Sequence, residues 1–228
     1  EKNITIFGES AGGRNVISLM SAPQSKNLFE RGIAQSGYLG SDTLDFAIND
    51  ERSGSKGFLI AKLKEKTNLT DEEINKKILD KNFVNEFLLN LTSDEIIRYY
   101  RVDEDTEGLI DVPNVLPDDI VIPNKGIYGV FRDGEMHDKP MIFGTTRDED
   151  KLFMFMNDTF VKRPLNFLSW ISNDLGFIVK PKDRNYYDIY AKYMAQAWKH
   201  GAVVLPSRFM SNNKTSKVYA YRFDWDEQ

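Results

Sequence analysis

The five residues Gly8-Glu9-Ser10-Ala11-Gly12 constrain this chain more than any others. They follow a short apolar run, Ile4-Thr5-Ile6-Phe7, and precede an apolar run with helical spacing, Val16-Ile17-Ser18-Leu19-Met20. A strand that passes through a sharp turn straight into a helix is the setting in which G-x-S-x-G works as a nucleophile elbow. The serine in such a turn is held in a strained backbone conformation. Side chains at the flanking positions, Gly8 and Gly12, are expected to collide with the strand and helix that meet there. The strain lifts the hydroxyl clear of the sheet, where a base and a carbonyl can reach it. The bare pattern is weak, and the strand before it and helix after it make it specific.

Residues 4–7, 31–35, 140–143 and 218–223 read as strands. The first three are brief apolar runs bounded by glycine, which suits strands buried on both faces. The fourth alternates, with Val218, Ala220 and Arg222 on one side and Tyr219, Tyr221 and Phe223 on the other. Helical patterns cover 10–21, stopped by Pro23, then 55–66 and 71–79. The last of these is opened by Thr70 with Glu73 at capping-box spacing. A short helix begins at Ser93, and longer ones cover 164–174 and 183–200. Strands separated by helices predict an α/β fold with a parallel sheet. With 41% hydrophobic residues, 228 residues suffice for a packed core and one or two domains. The stretch 41–139 is predicted to be a mostly helical insertion over the carboxyl ends of the strands. Within it, Pro113, Pro117 and Pro123 mark 112–123 as an extended excursion.

Other features exclude function classes. The net charge is −5 and no basic patch is interleaved with aromatics, which argues against a nucleic-acid partner. The chain has no cysteine. That removes disulfides, thiolate metal sites and a cysteine nucleophile, and leans toward a reducing, cytoplasmic compartment. No apolar run approaches the roughly 20 residues that cross a bilayer, so no membrane is implied. No His, Asp and Glu cluster has metal-ligand spacing, and neither a metal nor another cofactor is expected. The runs Lys62-Leu63-Lys64-Glu65-Lys66 and Asp103-Glu104-Asp105 read as solvated faces or loops. His200 closes a helical pattern with Gly201 as its C-cap. His137 lies in the polar loop 133–138 and reads as solvent-exposed.

The stretch 3–37 resembles the type-B carboxylesterase and cholinesterase family of α/β-hydrolases. The elbow, then Ser21-Ala22-Pro23, Leu28-Phe29 and Ala34-Gln35-Ser36-Gly37, carry the resemblance. Further on, Pro140-Met141-Ile142-Phe143-Gly144-Thr145-Thr146-Arg147-Asp148-Glu149 is similar to the family's strand leading into its catalytic acid, and 218–223 to its next strand. The bacterial para-nitrobenzyl-esterase-like branch is the most similar in character. The resemblance implies an α/β-hydrolase fold and ester hydrolysis through a serine-linked acyl-enzyme. It makes Ser10 the nucleophile and Glu149 the acid. It makes the Ala11 N–H an oxyanion donor, Glu9 an acidic neighbour shaping the local field, and Ser36 a residue that positions the acid. Asp150 departs from the pattern, since the family commonly has glycine there.

Family members run to roughly twice this length. Their glycine-rich oxyanion loop precedes the elbow and their catalytic histidine follows the last strand found here. The chain is therefore expected to be an internal fragment that carries nucleophile and acid without the base, inactive on its own. Its strands would be the second half of the sheet, with one edge left open. The implied partners are a small carboxylic-ester substrate and the remainder of the hydrolase fold.

Blander readings stand beside these. Ser10 is also a favoured helix N-cap, and Glu149 a favoured helix-start residue. The elbow context and the strand end favour the catalytic readings. Phe153, Phe155, Phe167 and Trp170 suit either an acyl or alcohol pocket or the core of helices. A non-catalytic interaction or adhesion-type protein on the same fold is the alternative function, although the retained Ser10 favours an enzyme.

Overall fold

The computed structural model describes residues 3–50, 53–100, 112–162 and 180–224. Its strands are β1 (Thr5–Glu9), β2 (Arg31–Gln35), β3 (Met141–Thr146), β4 (Val161–Lys162), β5 (Lys180–Pro181) and β6 (Val218–Phe223). β1, β2, β3 and β6 form one sheet in that order, and every neighbouring pair is parallel. The expected α/β class and its four strands are present. β4 and β5 make a separate antiparallel pair of two residues each, too short for an alternation to show in sequence.

The chain divides into two compact units, 1–40 with 118–228, and 41–117. In the first unit the sheet packs with α1 (Ala11–Ser21), α9 (Arg184–Lys199) and α10 (Leu205–Asn213); α7 (Gly126–Arg132) belongs to the same unit and α8 (Lys151–Met156) follows β3. α1 buries Val16, Ile17 and Met20, an i, i+1, i+4 stripe. On the sheet, Ile6, Gly32, Met141 and Val218 share one row in register. Gly32 lets the Met141 side chain lie across the strand: a Cβ there would lie 2.4 Å from Met141 Sδ and 3.2 Å from Val16, and the thioether would have to move. α7 buries Ile127, Val130 and Phe131, and packs on α1 and α10.

The opposite row, Phe7, Ile33, Ile142 and Tyr219, is open. Phe7 is 75% exposed and Tyr219 is 55% exposed. β1 is thus not buried on both faces as its apolar run suggests. It is an outer strand, and only one of its faces meets a helix layer. β6 is the other outer strand, so among the described residues two edges rather than one lack a neighbour.

The second unit contains α2 (Leu44–Asn49), α3 (Ser55–Lys66), α4 (Asp71–Lys77), α5 (Lys81–Leu89) and α6 (Ser93–Tyr100). Side-chain caps open several of them. Thr43 accepts from Phe46 N–H, Asp80 from Asn82 and Phe83, and Thr70 with Glu73 completes the expected capping box. Phe58 packs against Tyr99 and Tyr100, and Leu63 and Ile74 are fully buried. Lys62 departs from its reading as a solvated lysine. It is buried, with its stem packed and its ammonium on Glu65 at 2.7 Å. The helical unit closes at 117 rather than 139, because the apolar stripe of α7 packs with the sheet-bearing unit. Residues 112–123 form neither helix nor strand, as their prolines suggest. The predicted helix 164–174 and the acidic run 103–105 lie outside the described residues.

Gly201 is not a helix C-cap. After α9 the chain continues through a π-helical segment, His200–Val204, into α10. Pro206, in the first turn of α10, has no N–H and its ring would clash with the carbonyl four residues back. A wider π turn relieves that clash and keeps the chain helical. It also brings Ala202 and Val203 into the core.

Candidate active site

Ser10 sits between β1 and α1 with φ 54° and ψ −115°, a left-handed conformation that costs a non-glycine residue about 1–3 kcal/mol. Its N–H donates to the Gln35 carbonyl at 2.8 Å, and its own carbonyl accepts from Arg14 N–H at 3.0 Å. It stands at the N-cap position, yet its hydroxyl makes no cap bond and the residue is exposed. The structural-cap reading therefore has no bond to rest on. Ala11 opens α1, and its N–H belongs to the first turn, whose donors have no intrahelical acceptor. Glu9 ends β1 and is exposed.

The two elbow glycines are not equivalent. A Cβ on Gly8 would lie 2.4 Å from the carbonyl carbon and oxygen of Gly12, so the strand and helix touch backbone to backbone there. A Cβ on Gly12 would meet nothing within 4 Å, contrary to the collision expected from the motif. The tightly packed glycine of the helix is the next one. A Cβ on Gly13 would lie 2.6 Å from Gln35 O and 3.0 Å from Gly37 N, because the first turn of α1 rests on the backbone after β2.

Glu149 lies in the turn that follows β3. Its Oε1 accepts three hydrogen bonds: from Ser36 Oγ at 2.5 Å, Thr145 Oγ1 at 2.6 Å and Thr146 N–H at 2.6 Å. Oε2 takes no hydrogen bond among the described residues. Ser36 is buried and left-handed, with φ 52°. Its N–H donates to Gly144 O at 2.7 Å, and its carbonyl accepts from Trp198 Nε1–H at 3.2 Å. The corner Gln35-Ser36 thus holds both the backbone of Ser10 and the carboxylate of Glu149.

Trp198 is a site residue that the sequence did not single out. It packs edge-on against Tyr38 and stacks on Phe153, both at 6.0 Å between ring centroids. The Arg14 guanidinium lies 3.9 Å over the Tyr38 ring. Phe153 therefore belongs to a half-exposed aromatic row beside the Ser36–Glu149 pair, not to a helix core. Phe155 is half-buried, and Phe167 and Trp170 lie outside the described residues. Asp150, beside Glu149, is 8% exposed, and its Oδ2 has no hydrogen-bond partner among the described residues. Burial and the neighbouring Glu149 charge push its pKa up.

Neither histidine touches Ser10 or Glu149. His137 is not solvent-exposed but 8% accessible. Its Nε2 lies 2.9 Å from the Ala22 carbonyl and 3.1 Å from Ser25 Oγ. A carbonyl can only accept, so Nε2 carries the proton. The loop that holds His137 folds back over the end of α1, where its N–H donates to Met20 O at 2.9 Å. Polarity in sequence does not reveal such burial. His200 is exposed on the π segment. Among the described residues no group of three or more His, Cys, Asp or Glu could hold a metal. None of their helices is long and apolar enough to cross a membrane.

Residues 1–228 match the carboxylesterase family. The para-nitrobenzyl esterase of Bacillus subtilis (strain 168) is 28% identical over 98% of this chain and 42% of its own length. Carboxylesterase 1C of Rattus norvegicus is 51% identical over a shorter stretch, 19% of this chain and 8% of its own. A solved para-nitrobenzyl esterase superposes with a TM-score of 0.60 at 21% identity, covering 99% of this chain and 45% of that one. A carboxylesterase of Geobacillus stearothermophilus superposes with a TM-score of 0.59 at 22% identity, covering 100% and 45%. These likenesses show part of an α/β-hydrolase fold. The chain spans less than half the length of the bacterial esterases it matches end to end.

Proposed function

We propose that this chain, which belongs to the carboxylesterase family, carries the nucleophile and the acid of a serine hydrolase that cleaves small, largely uncharged carboxylic esters. The observation that carries the reading is the Gln35-Ser36 corner, which ties the strained Ser10 and the triply bonded Glu149 to one end of β2. In the reaction a base takes the Ser10 proton and Oγ attacks the ester carbonyl. The alcohol leaves with that proton, and water then hydrolyses the acyl-serine. The Ala11 N–H, at the start of α1, supports the oxyanion, where one donor is worth about 10²–10³ in rate. Glu149 orients the base: with three donors on Oε1, its Oε2 is left to accept an imidazole N–H.

Neither histidine of this chain supplies that base. His137 is buried at the end of α1 with its Nε2 committed to the Ala22 carbonyl and Ser25, and His200 has no hydrogen bond to the acid among the described residues. A serine without a base is a poor nucleophile at neutral pH. The 228 residues alone are therefore inactive, and turnover belongs to a protein that adds a base to them.

A fluorophosphonate probe, read by intact mass and peptide mapping, tests both parts. A longer protein containing this sequence is expected to take the adduct at Ser10 and to lose ester turnover in Ser10→Ala. An adduct at another serine, or turnover that survives the substitution, refutes the nucleophile assignment. The 228-residue chain, shown folded by circular dichroism, is expected to take no adduct. Labelling at Ser10 there would overturn its inactivity.

A further inference from the structure

A cleft of about 340 Å³ opens beside the acid-bearing turn, between the end of β3, the start of α8, β6 and one face of α9. The α9 face presents Asp188, Lys192, Gln196 and Lys199, a stripe at helical spacing, over buried Ala191 and Ala195. Across from it stand Arg147, Lys151 and Arg222. Five cations and two carboxylates line the cleft, in a chain whose net charge is −5. Such a local reversal of sign concentrates anions.

The two carboxylates are already engaged. Asp148 is bridged by Arg147 at 3.1 Å and Lys151 at 2.9 Å, and Asp188 pairs with Arg184 at 2.9 Å. Arg222 is held by Asp224. Lys192 and Lys199 make no ion pair or hydrogen bond through their ammonium groups among the described residues. With Gln196 and Thr146 they complete a wall of donors, which is the inventory an oxyanion requires and a neutral ester does not. The volume lies at the small end of the range for small-molecule sites. The Glu149 carboxylate, turned toward Ser36 and Thr145, is not part of the lining.

We propose that this cleft is a binding site for a compact, multiply charged oxyanion, a phosphate group above all, with Lys192 and Lys199 as its principal ligands. The site adjoins the Glu149 turn through Thr146 and Asp148, but it does not depend on the ester-cleaving reading. The alanine floor has room for a short carbon stem, so the anion is either free phosphate or the head of a small phosphate ester.

Titrating the 228-residue chain with inorganic phosphate at neutral pH and constant ionic strength, followed by amide NMR, tests this. Saturable shifts confined to 146–151 and 188–199 are expected. The K192Q/K199Q double variant, which alters one exposed and one half-buried residue, is expected to bind at least about tenfold more weakly, the scale of a lost charge-assisted bond. K217Q, a charge loss outside the cleft, is expected to leave binding unchanged. Glycerol phosphate binding more tightly than phosphate would assign an ester ligand, and equal binding would assign the free anion. Shifts that do not saturate, that chloride reproduces, or that survive K192Q/K199Q overturn the proposal.

Discussion

Ser36 donates to Glu149 at 2.5 Å while its own backbone is left-handed and pinned by Gly144 and Trp198. Two opposing terms meet at this residue: a hydrogen bond to a charged group, worth about 1.5–3 kcal/mol, and backbone strain. Ser36→Ala removes the bond and keeps the strain, so it is expected to lower unfolding stability by about 2 kcal/mol in urea titrations. Ser36→Gly removes both, and should lie between alanine and wild type. A glycine variant less stable than the alanine one would show that strain is not part of the balance. His137 gives a pH signature. Burial holds its pKa below 6.5, opposed by the Ala22 carbonyl and helped by Lys139, Lys26 and Lys214. The unfolded chain therefore binds more protons than the native one as pH falls below about 6.5, and stability must fall with it. His137→Gln is expected to flatten that slope between pH 6.5 and 5, and an unchanged slope would exclude His137 as its source. The contrast between these residues shows what a sequence can reveal. The strained turn at Ser10 was legible because its signal is local, five consecutive residues between a strand and a helix. Ser36 was legible only through the family pattern around it. Trp198 and the burial of His137 were not, since each depends on partners more than a hundred residues away.

Local chemistry decided equally which elements could be read. α4 announces itself by Thr70 and Glu73. The start of α6 was visible at Ser93, and the same box occurs one residue earlier, with Thr92 N–H on Glu95 at 2.7 Å and Glu95 N–H on Thr92 Oγ1 at 3.3 Å. α7 escaped because Gly126 and Gly129 interrupt its pattern, and its burial comes from α1 and α10 rather than from its own composition. α10 escaped because Gly201 and Pro206 mimic a helix stop, and a π segment bridges them. Glu95 also ties α6 to α3 through Lys66. That ammonium, then the Thr92 N–H and hydroxyl, hold its pKa at about 2 rather than 4.5. A depressed carboxyl contributes stability that is complete above 4.5 and is lost as pH falls toward about 2. The contribution is modest, because the pair is near solvent and salt screens it. Glu95→Gln should therefore lose stability at neutral pH and show a shallower acid slope than wild type between pH 4.5 and 2, the gap narrowing in high salt. Parallel slopes for the two proteins would place the acid sensitivity in other carboxylates.

At the scale of the whole molecule, the described residues finish the sheet on one face and leave the other unfinished. The row through Gly32 and Met141 is closed by α1, with Met141 and Phe143 fully buried. The row through Phe7, Ile33, Ile142 and Tyr219 continues past Tyr221 to Phe223, and Phe7, Tyr219 and Phe223 are each more than half exposed. Two outer strands add unpaired backbone groups to this apolar face. Soluble monomers rarely leave such a patch bare, and a bare edge invites pairing with another chain. The bacterial esterases that match this chain end to end are more than twice its length, which fits a face built to be covered. Isolated, the chain has only other copies of itself to cover that face. It is therefore expected to self-associate, with a sedimentation coefficient that rises with protein concentration and with binding of a hydrophobic dye. Phe7→Lys combined with Tyr219→Lys places two charges on the row and leaves the buried face untouched. It should restore concentration-independent sedimentation without loss of helical circular dichroism. A wild-type chain that stays monomeric and dye-free across the concentration range would mean that this face is shielded in solution.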